Sequence, residues 1–403
     1  MMRMTSIAVA TVCAVMACKQ ERGRPGGEPR APGGAVTVVA AAVPSSANGA
    51  AAAPATWAMP RLVAAGGLGD GLFTLAAVSH RGLTLVPIAT TEPSPEDYLV
   101  LDDAMAEGLV EIAEEGGVNQ LTITNRSDRP LFLLAGEVVI GGKQDRIIGK
   151  NTIIAAKKTE ALPVFCVEHG RWSGRQATFT SAGALAHSTL RQKASFDGQG
   201  DVWQEVSEKN AKRKTSNGTD TYRQTAAQQT GAELAGWDEA FETQLRALPA
   251  EVRPLVVGYA VALGGEVVAL DVFDSPKLFA RLDRKLRRSY YAEAIDVDAR
   301  AGAPVPSAAS VRAFMAAADA APDQPVYGND EADTVNQIGD GTASTRVMSK
   351  RAYVAKGAKG GKAKPVFRSV QRRKEAPTAA PSAFGNDDDA PQLQRLMPRR
   401  RVP

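Results

Sequence analysis

The segment at residues 131–172 decides the fold class, and it reads LFLLAGEVVIGGKQDRIIGKNTIIAAKKTEALPVFCVEHGRW. Runs of Leu, Ile and Val alternate in it with short charged groups at residues 136–137, 143–146 and 166–172. Such short apolar runs with turn residues between them predict a series of strands. Charged groups among strands cost free energy unless they are paired. The segment is therefore expected to hold either an ion-pair network or a binding site.

The chain before this segment also predicts strands. Short apolar runs with turn residues between them predict four strands, at residues 72–78, 83–88, 109–112 and 119–125. Residues 102–107 have the composition of a short helix that ends at Gly108. Strands so closely spaced, with turns and not long helices between them, indicate antiparallel pairing in a sandwich-like half.

The pattern changes after residue 175. Helical spacing predicts five helices, at residues 184–195, 201–212, 237–248, 276–290 and 311–320. Ser275 is expected to cap the fourth of these helices. Residues 255–263 and 266–272 predict a hairpin around Gly264 and Gly265, and residues 345–354 and 365–370 predict a last strand pair. The expected fold class is α+β, with an antiparallel β-rich, sandwich-like N-terminal half and helices packed in the C-terminal half.

Both ends of the chain have the composition of non-globular segments. Residues 1–17 are typical of a secretory signal peptide, and VMAC at residues 15–18 resembles the lipobox of bacterial lipoproteins. The resemblance implies lipidation of Cys18. Several acyl chains together would anchor the protein stably in a membrane. Residues 18–57 predict a disordered Ala/Pro/Gly tether, residues 58–372 a folded domain and residues 373–403 a disordered tail.

The charged groups of the central segment form the candidate site. The expected ligand-binding residues are Glu137, Lys143, Gln144, Arg146, Arg171 and Trp172. Glu137 and Glu168 are expected to pair with Arg146 and Arg171 in bidentate fashion. Two interpretations stay open, a structural network that fixes strand register and a polar pocket with Trp172 as a stacking wall.

The catalytic role is unknown, and three residues are candidates: Glu137 and Glu168 as general acid or base, and Cys166 as nucleophile. Cys166 lies in the apolar run at residues 163–167, where a free cysteine usually behaves as a small hydrophobic residue. On an extended strand, His169 faces away from Cys166. A buried thiol is therefore the favoured interpretation.

Other classes of site lack support in the sequence. The three histidines, His80, His169 and His187, have no metal-binding spacing, so no metal and no cofactor are expected. The net charge of +4 is too small to indicate specific nucleic-acid binding. The basic face at residues 281–288 is expected to be solvated, with attraction to an anionic envelope polymer as the alternative.

Several motifs together resemble one bacterial family. They are LxLLxGE at residues 131–137, GxKQxR at 141–146, PVxCVExGRW at 163–172, GDVW at 200–203 and GYAVALGGEVVALDVFDSPKLF at 258–279. In combination they are similar to the domain family associated with ARG and rhodanese-phosphatase superfamily proteins, over about residues 59–370. This resemblance implies no established activity, so no catalytic roles are carried over from it.

The leading hypothesis is a lipid-anchored cell-envelope protein that binds a polar ligand or a protein partner. Its expected partners are the membrane, through Cys18, and an envelope protein or anionic polymer. An enzyme that uses Glu137, Glu168 or Cys166 is one alternative, and a structural envelope spacer is another.

Overall fold

The structure is a computed structural model, and it describes residues 58–114, 117–173, 177–297, 302–339, 341–351 and 364–373. The predicted signal peptide, Cys18, the tether and the tail lie outside these residues. In the described part of the chain, no helix has both the length and the apolar character needed to cross a membrane.

Nineteen strands are numbered here in chain order. They are β1 Gly67–Gly69, β2 Leu72–Thr74, β3 Val78–His80, β4 Leu83–Thr90, β5 Leu99–Val100, β6 Val110–Ala113, β7 Gln120–Asn125, β8 Leu131–Leu133, β9 Glu137–Gly141, β10 Arg146–Ile148, β11 Thr152–Ile154, β12 Thr159–Cys166, β13 Phe179–Leu185, β14 Val256–Leu263, β15 Glu266–Phe273, β16 Gln324–Gly328, β17 Ala332–Gly339, β18 Thr342–Ser349 and β19 Phe367–Arg372.

The described residues also form eight α-helices. They are α1 Ala58–Gly66, α2 Leu101–Ala106, α3 Ser188–Phe196, α4 Gln199–Arg213, α5 Arg223–Thr230, α6 Ala235–Arg246, α7 Pro276–Ala294 and α8 Ala308–Asp319. The mixture, with antiparallel sheets first and most helices later, confirms the predicted α+β class.

The described strands form three sheets. The largest has ten strands in the order β1-β2-β4-β14-β15-β19-β18-β17-β16, with β3 paired to β4 beside this path. A six-stranded sheet runs β13-β9-β10-β12-β7-β6, and a three-stranded sheet runs β11-β8-β5. The last strand, β19, lies between β15 and β18 in the middle of the large sheet. The large sheet therefore joins early and late parts of the chain.

Helices cover both faces of the large sheet. Tyr259 and Phe273 of the central strands pack against α7 in one apolar cluster. Leu270 and Val272, from the other face of β15, pack with Phe314 of α8 in a second cluster. This division follows from the period of two along a strand, which sends neighbouring side chains to opposite faces.

The six-stranded sheet is covered in the same way. One face packs with the three-stranded sheet, for example Ile123 and Val164 with Leu131. The other face packs with α3, α4 and α5, for example Ile147 with Val206. The candidate site of the sequence analysis lies on β9, β10 and the end of β12, in the middle of this sheet.

The hairpin and the long helix after it were predicted correctly. β14 and β15 pair antiparallel from Leu263↔Glu266, and the backbone φ is positive at Gly264 and Gly265. Ser275 caps α7, since its hydroxyl accepts a hydrogen bond from the Leu278 N–H at 3.4 Å. The helix continues to Ala294, four residues beyond the predicted end. The pairing of β18 with β19 also confirms the predicted last strand pair.

Some element predictions were wrong. Residues 72–78 form two strands, because the five residues from Thr74 to Val78 oppose only four on β4, from Ile88 to Leu85, which marks a bulge. The helix predicted at residues 184–195 begins only at Ser188, because residues 184–185 are the end of β13, which pairs with β9. The strands β1, β5, β13, β16 and β17 and the helices α1 and α5 were not predicted.

The basic face of α7 is only partly solvated, contrary to the prediction. Arg287 and Arg288 are buried. Arg288 bonds to Asp238 of α6 at 2.6 Å, and Arg287 bonds to Asp283 at 3.0 Å. Acidic side chains of α6 and α7 therefore pair with arginines that the sequence pattern predicted to be solvated.

Candidate functional site

Asp145 lies at the centre of the polar residues of the six-stranded sheet. Its side chain is fully buried and accepts two hydrogen bonds from Arg223, at 2.7 and 2.9 Å. The Thr221 hydroxyl donates to it at 2.9 Å, and Arg171 lies 3.4 Å away. A buried carboxylate needs this many donors to offset its lost hydration. We call Asp145, Glu168, Arg171 and Arg223 the Asp145 network.

Glu168 is the second acid of the Asp145 network. Arg171 bonds to one carboxylate oxygen at 2.7 and 2.8 Å, and the same oxygen accepts the Asp145 N–H at 3.1 Å. The Thr219 hydroxyl donates to the other oxygen at 2.9 Å. The predicted pairing of Glu168 with Arg171 is confirmed, but its predicted bidentate geometry is not, because both arginine nitrogens bond to one carboxylate oxygen. With both oxygens bonded, Glu168 has little capacity left for a ligand.

The loop at residues 215–222 supplies residues that the sequence analysis missed. Thr219 and Thr221 from this loop, and Arg223 at the start of α5, close the network over the end of β12. Thr221 also forms a β-bridge with Glu168. Residues 215–221 are mostly polar, but nothing in their local sequence indicates a partner 76 residues away.

Gln144 and Arg146 extend the polar contacts into the interior. The Gln144 side chain donates to the Glu168 carbonyl oxygen at 2.8 Å and accepts from Arg146 at 3.3 Å. Arg146 is 1% exposed and pairs with Glu114 at 3.4 Å. These predicted site residues therefore share one network with Glu168 and Arg171, but Arg146 bonds to Glu114 and not to Glu137 or Glu168.

Lys143 and Trp172 do not join these contacts. Lys143 is exposed, and only its backbone N–H takes part, as a donor to Glu114 at 2.8 Å. Trp172 is half-buried and contacts no ring or hydrogen-bonding group in the ranges that the structure covers. A polar pocket with Trp172 as its wall stays a prediction.

Glu137 belongs to a separate group, which corrects its predicted pairing with arginine. It is 1% exposed and bonds to Lys285 of α7 at 2.8 Å. Lys285 also bonds to Asp102 at 2.6 Å, and the Ser181 hydroxyl donates to Asp102 at 2.5 Å. Burial raises the pKa of Glu137, and the charge of Lys285 opposes this rise. The pairing joins β9 to α7 across 148 residues of sequence.

Cys166 is a core residue in the structure. Its thiol is buried, and burial raises the pKa of Cys166 to about 11. The Gln199 side chain accepts a hydrogen bond from the Cys166 N–H and donates one to the Cys166 carbonyl oxygen, each at 2.8 Å. His169 packs against Trp203, with ring centroids 4.4 Å apart and ring planes tilted by 58°. The thiol therefore has no histidine base beside it.

A buried histidine lies on the other side of the helical layer. His187 contacts Tyr222 at 2.8 Å and Glu205 at 2.9 Å through its two ring nitrogens. Burial lowers the pKa of His187 to about 3. The ring is neutral at physiological pH and serves as a hydrogen-bonding link between β13, α4 and the start of α5. It lies in the interior, where no ligand reaches it without local opening.

A cleft of about 410 Å³ opens elsewhere, between α6, the turn at Arg253–Leu255, β14 and α7. Its volume falls in the range of about 300–1,000 Å³ that is usual for small-molecule sites. Its apolar lining consists of Leu245, Leu248, Pro254, Val256, Pro276, Phe279 and Ala280. Its charged lining consists of Glu242, Arg246, Arg253, Asp283 and Arg287. We call this feature the α6–α7 cleft.

The sequence analysis missed the α6–α7 cleft. Its walls come from three segments that each look ordinary: one face of α6, a proline-containing turn and one face of α7. The unusual feature is Arg253, which is exposed and has no acidic partner among the residues described. A lone arginine next to leucine and proline is a weak sequence signal, since surface arginines are common.

The described residues form an α+β domain with an ion-pair network around the buried Asp145 and an open cleft of ligand size between α6 and α7. Residues 72–357 match the ARG and Rhodanese-Phosphatase-superfamily-associated Protein domain, so the chain belongs to this family. The match stops before β19, which completes the large sheet. No curated protein matches the chain. No solved structure matches it either.

Proposed function

We propose that this protein is a lipid-anchored cell-envelope module that binds a ligand in the α6–α7 cleft and catalyses no reaction. The lipobox-like VMAC at residues 15–18 supports the anchor. The cleft is the observation that carries the binding proposal. It combines a concave apolar surface with a few charged groups, which is the usual composition of a ligand site.

The state of the three catalytic candidates supports binding over catalysis. A nucleophilic cysteine needs a lowered pKa and access, whereas Cys166 is buried and its pKa is raised to about 11. Glu168 is bonded at both oxygens. Glu137 is held between Lys285 and the Leu134 N–H, at 2.8 and 2.9 Å. Each group is committed to a partner within the protein.

The binding proposal can be tested with an uncharged apolar dye, N-phenyl-1-naphthylamine. The full chain carrying Cys18→Ser is used, so that no detergent competes for the cleft. We expect saturable fluorescence enhancement that is lost in Ala280→Trp, because Ala280 is an exposed cleft residue on α7 whose enlargement fills the space. Lys277→Trp, on the same helix outside the lining, is the matched control and should bind normally.

The anchoring proposal has its own test. Mass spectrometry of the N-terminal peptide from membrane-purified protein should find residue 18 as the first residue, with a diacylglyceryl thioether on Cys18. A mature chain that keeps residues 1–17, or that carries an unmodified Cys18, would contradict the anchor without affecting the cleft.

One observation favours an enzyme as the second candidate. Glu137 has a raised pKa and is linked through Lys285 to Asp102, whose side chain is 34% exposed. A buried carboxyl with such a pKa is a typical general acid. If a hydrolase screen finds turnover that Glu137→Gln abolishes and Cys166→Ser leaves intact, the enzyme replaces the binding module.

A further inference from the structure

We infer that the α6–α7 cleft takes a single-chain anionic amphiphile, with its apolar tail along Phe279 and its anionic head at Arg253. The inference rests on the proposed binding function and adds the chemical class of the ligand. It depends on which polar groups of the cleft are already bonded and which are not.

The polar groups of the inner wall are bonded to one another. The Tyr259 hydroxyl donates to Asp283 at 2.7 Å. Arg287 bonds to Asp283 at 3.0 Å and to Glu242 at 3.4 Å, and it also donates to the Tyr291 hydroxyl at 3.1 Å. A sugar or other polyhydroxylated ligand would lose water here without gaining partners. The buried part of the ligand is therefore apolar.

The apolar surface is continuous enough for a chain. Leu248 and Phe279 are buried, and Leu245 and Val256 are half-buried beside them. Phe279 is fixed by edge contact with Tyr259, with ring centroids 5.3 Å apart. Each methylene that leaves water for such a surface raises affinity by about fourfold at most. A linear tail gains in proportion to its length until the cleft is full.

The charge left over at the rim is positive. Arg246 is paired with Glu242 at 3.0 Å, and Arg287 is paired with Asp283. The cleft lining holds three arginines and two acids, which leaves Arg253 without an acidic partner among the described residues. A carboxylate head can take two hydrogen bonds from one guanidinium. An anionic head therefore complements this rim, and a cationic head does not.

The test uses dye displacement from the full chain carrying Cys18→Ser, with three ligands of equal tail length. They are dodecanoate, dodecanol and dodecylammonium, each kept below the concentration at which it forms micelles. We expect dodecanoate to bind about tenfold more tightly than dodecanol, and dodecylammonium to bind more weakly than both. A tenfold change corresponds to about 1.4 kcal/mol. Octanoate and decanoate should bind progressively more weakly than dodecanoate.

Arg253→Gln should remove the preference for dodecanoate over dodecanol while dye binding remains. Lys277→Gln is the matched control, because it removes an exposed positive charge from α7 outside the cleft lining. Equal affinity for dodecanoate and dodecanol in the parent chain would overturn the inference and leave the binding function intact. Loss of the dodecanoate preference in Lys277→Gln as well would also overturn it, since the head would then sense only the net charge.

Two other outcomes are decisive. If the dye does not bind to the parent chain, or still binds to Ala280→Trp, the proposed binding function itself fails. If the chain binds vesicles of phosphatidylglycerol but no monomeric dodecanoate, the site recognises a membrane surface and the single-chain ligand is wrong.

Discussion

The Asp145 network and the α6–α7 cleft contain similar side chains in opposite arrangements. In the network both arginines face a buried carboxylate: Asp145 holds Arg171 and Arg223, and Glu168 also holds Arg171. In the cleft one arginine, Arg253, is left over beside apolar surface. Charge density therefore does not identify the binding site. An uncompensated charge next to an apolar concavity does.

The difference between the Asp145 network and the α6–α7 cleft has an energetic cause. A buried ion pair recovers its desolvation cost only through complete hydrogen bonding, and it fixes which parts of the chain meet. Asp145 joins β10 to α5, and Glu137 joins β9 to α7. Such pairs contribute to specific packing and leave nothing for a ligand. Arg253 is exposed and has no acidic partner among the described residues, so its charge remains for a ligand.

The largest expected effect is on stability, from Asp145→Ala. The change leaves Arg171, Arg223 and the Thr221 hydroxyl without their shared acceptor. Because the two arginine side chains are 25% and 47% exposed and can be hydrated, we expect a loss of about 2–4 kcal/mol, mainly from the lost hydrogen bonds. Urea unfolding of the full chain should show this loss. Asp330→Ala is the control, because Asp330 is 78% exposed in its pair with Lys158 and should cost less than about 1 kcal/mol. Equal losses would remove the distinction between buried and exposed pairs.

The next largest effect is on the reactivity of Cys166. At pH 8 the thiolate fraction is about 100-fold lower for a pKa of about 11 than for the ordinary value of 9.0. Alkylation of Cys166 in the native chain, followed by peptide mapping, should therefore be at least 100-fold slower than in denaturant. The rate should rise with pH up to about 11. Fast native labelling at neutral pH would restore the thiol as a candidate nucleophile.

A smaller loss of stability is expected from Gly136→Ala. Gly136 lies next to Arg191, which forms a buried ion pair with Asp271. Gly136 has φ +93, and a Cβ there would lie 2.5 Å from Cγ of Arg191. Arg191 holds Asp271 with two hydrogen bonds, at 3.0 and 3.1 Å. We expect a loss of about 1–3 kcal/mol from backbone strain and displacement of Arg191. Gly108→Ala, at φ +68 in open space, should cost less, and the reverse order would contradict the close packing.

The smallest effect on stability is expected in the cleft. Arg253 is exposed and unpaired in the described structure, so Arg253→Gln should change the free energy of unfolding by less than about 0.5 kcal/mol. Thermal or urea unfolding checks this expectation. A loss above 1 kcal/mol would mean that Arg253 has a structural partner, and the comparison between the two regions would fail.

Local patterns in the sequence were enough for much of the fold. The period of two around Gly264 and Gly265 predicted the β14–β15 hairpin, and the stripe after Ser275 predicted α7. Glu168 and Arg171 are three residues apart, so their pairing was within reach of sequence reasoning. Each of these predictions depends on neighbours in the chain.

The rest of the fold and of the site depends on contacts between residues far apart in the sequence, which a local pattern cannot indicate. Arg223 reaches Asp145 over 78 residues, and Lys285 reaches Glu137 over 148 residues. The basic stripe of α7 could not show that α6 carries the acid that buries Arg288. The cleft exists only because α6, the turn at Arg253–Leu255 and α7 meet in the folded chain.

The most direct test measures two quantities on two variants, the free energy of unfolding and the dissociation constant for dodecanoate. Asp145→Asn should lower stability by about 2 kcal/mol, from weakened hydrogen bonds, and leave the dissociation constant of the folded fraction unchanged. Arg253→Gln should leave stability unchanged and raise the dissociation constant about tenfold. If Asp145→Asn instead abolishes binding at full stability while Arg253→Gln binds normally, the network is the binding site and the roles assigned to the two regions are reversed.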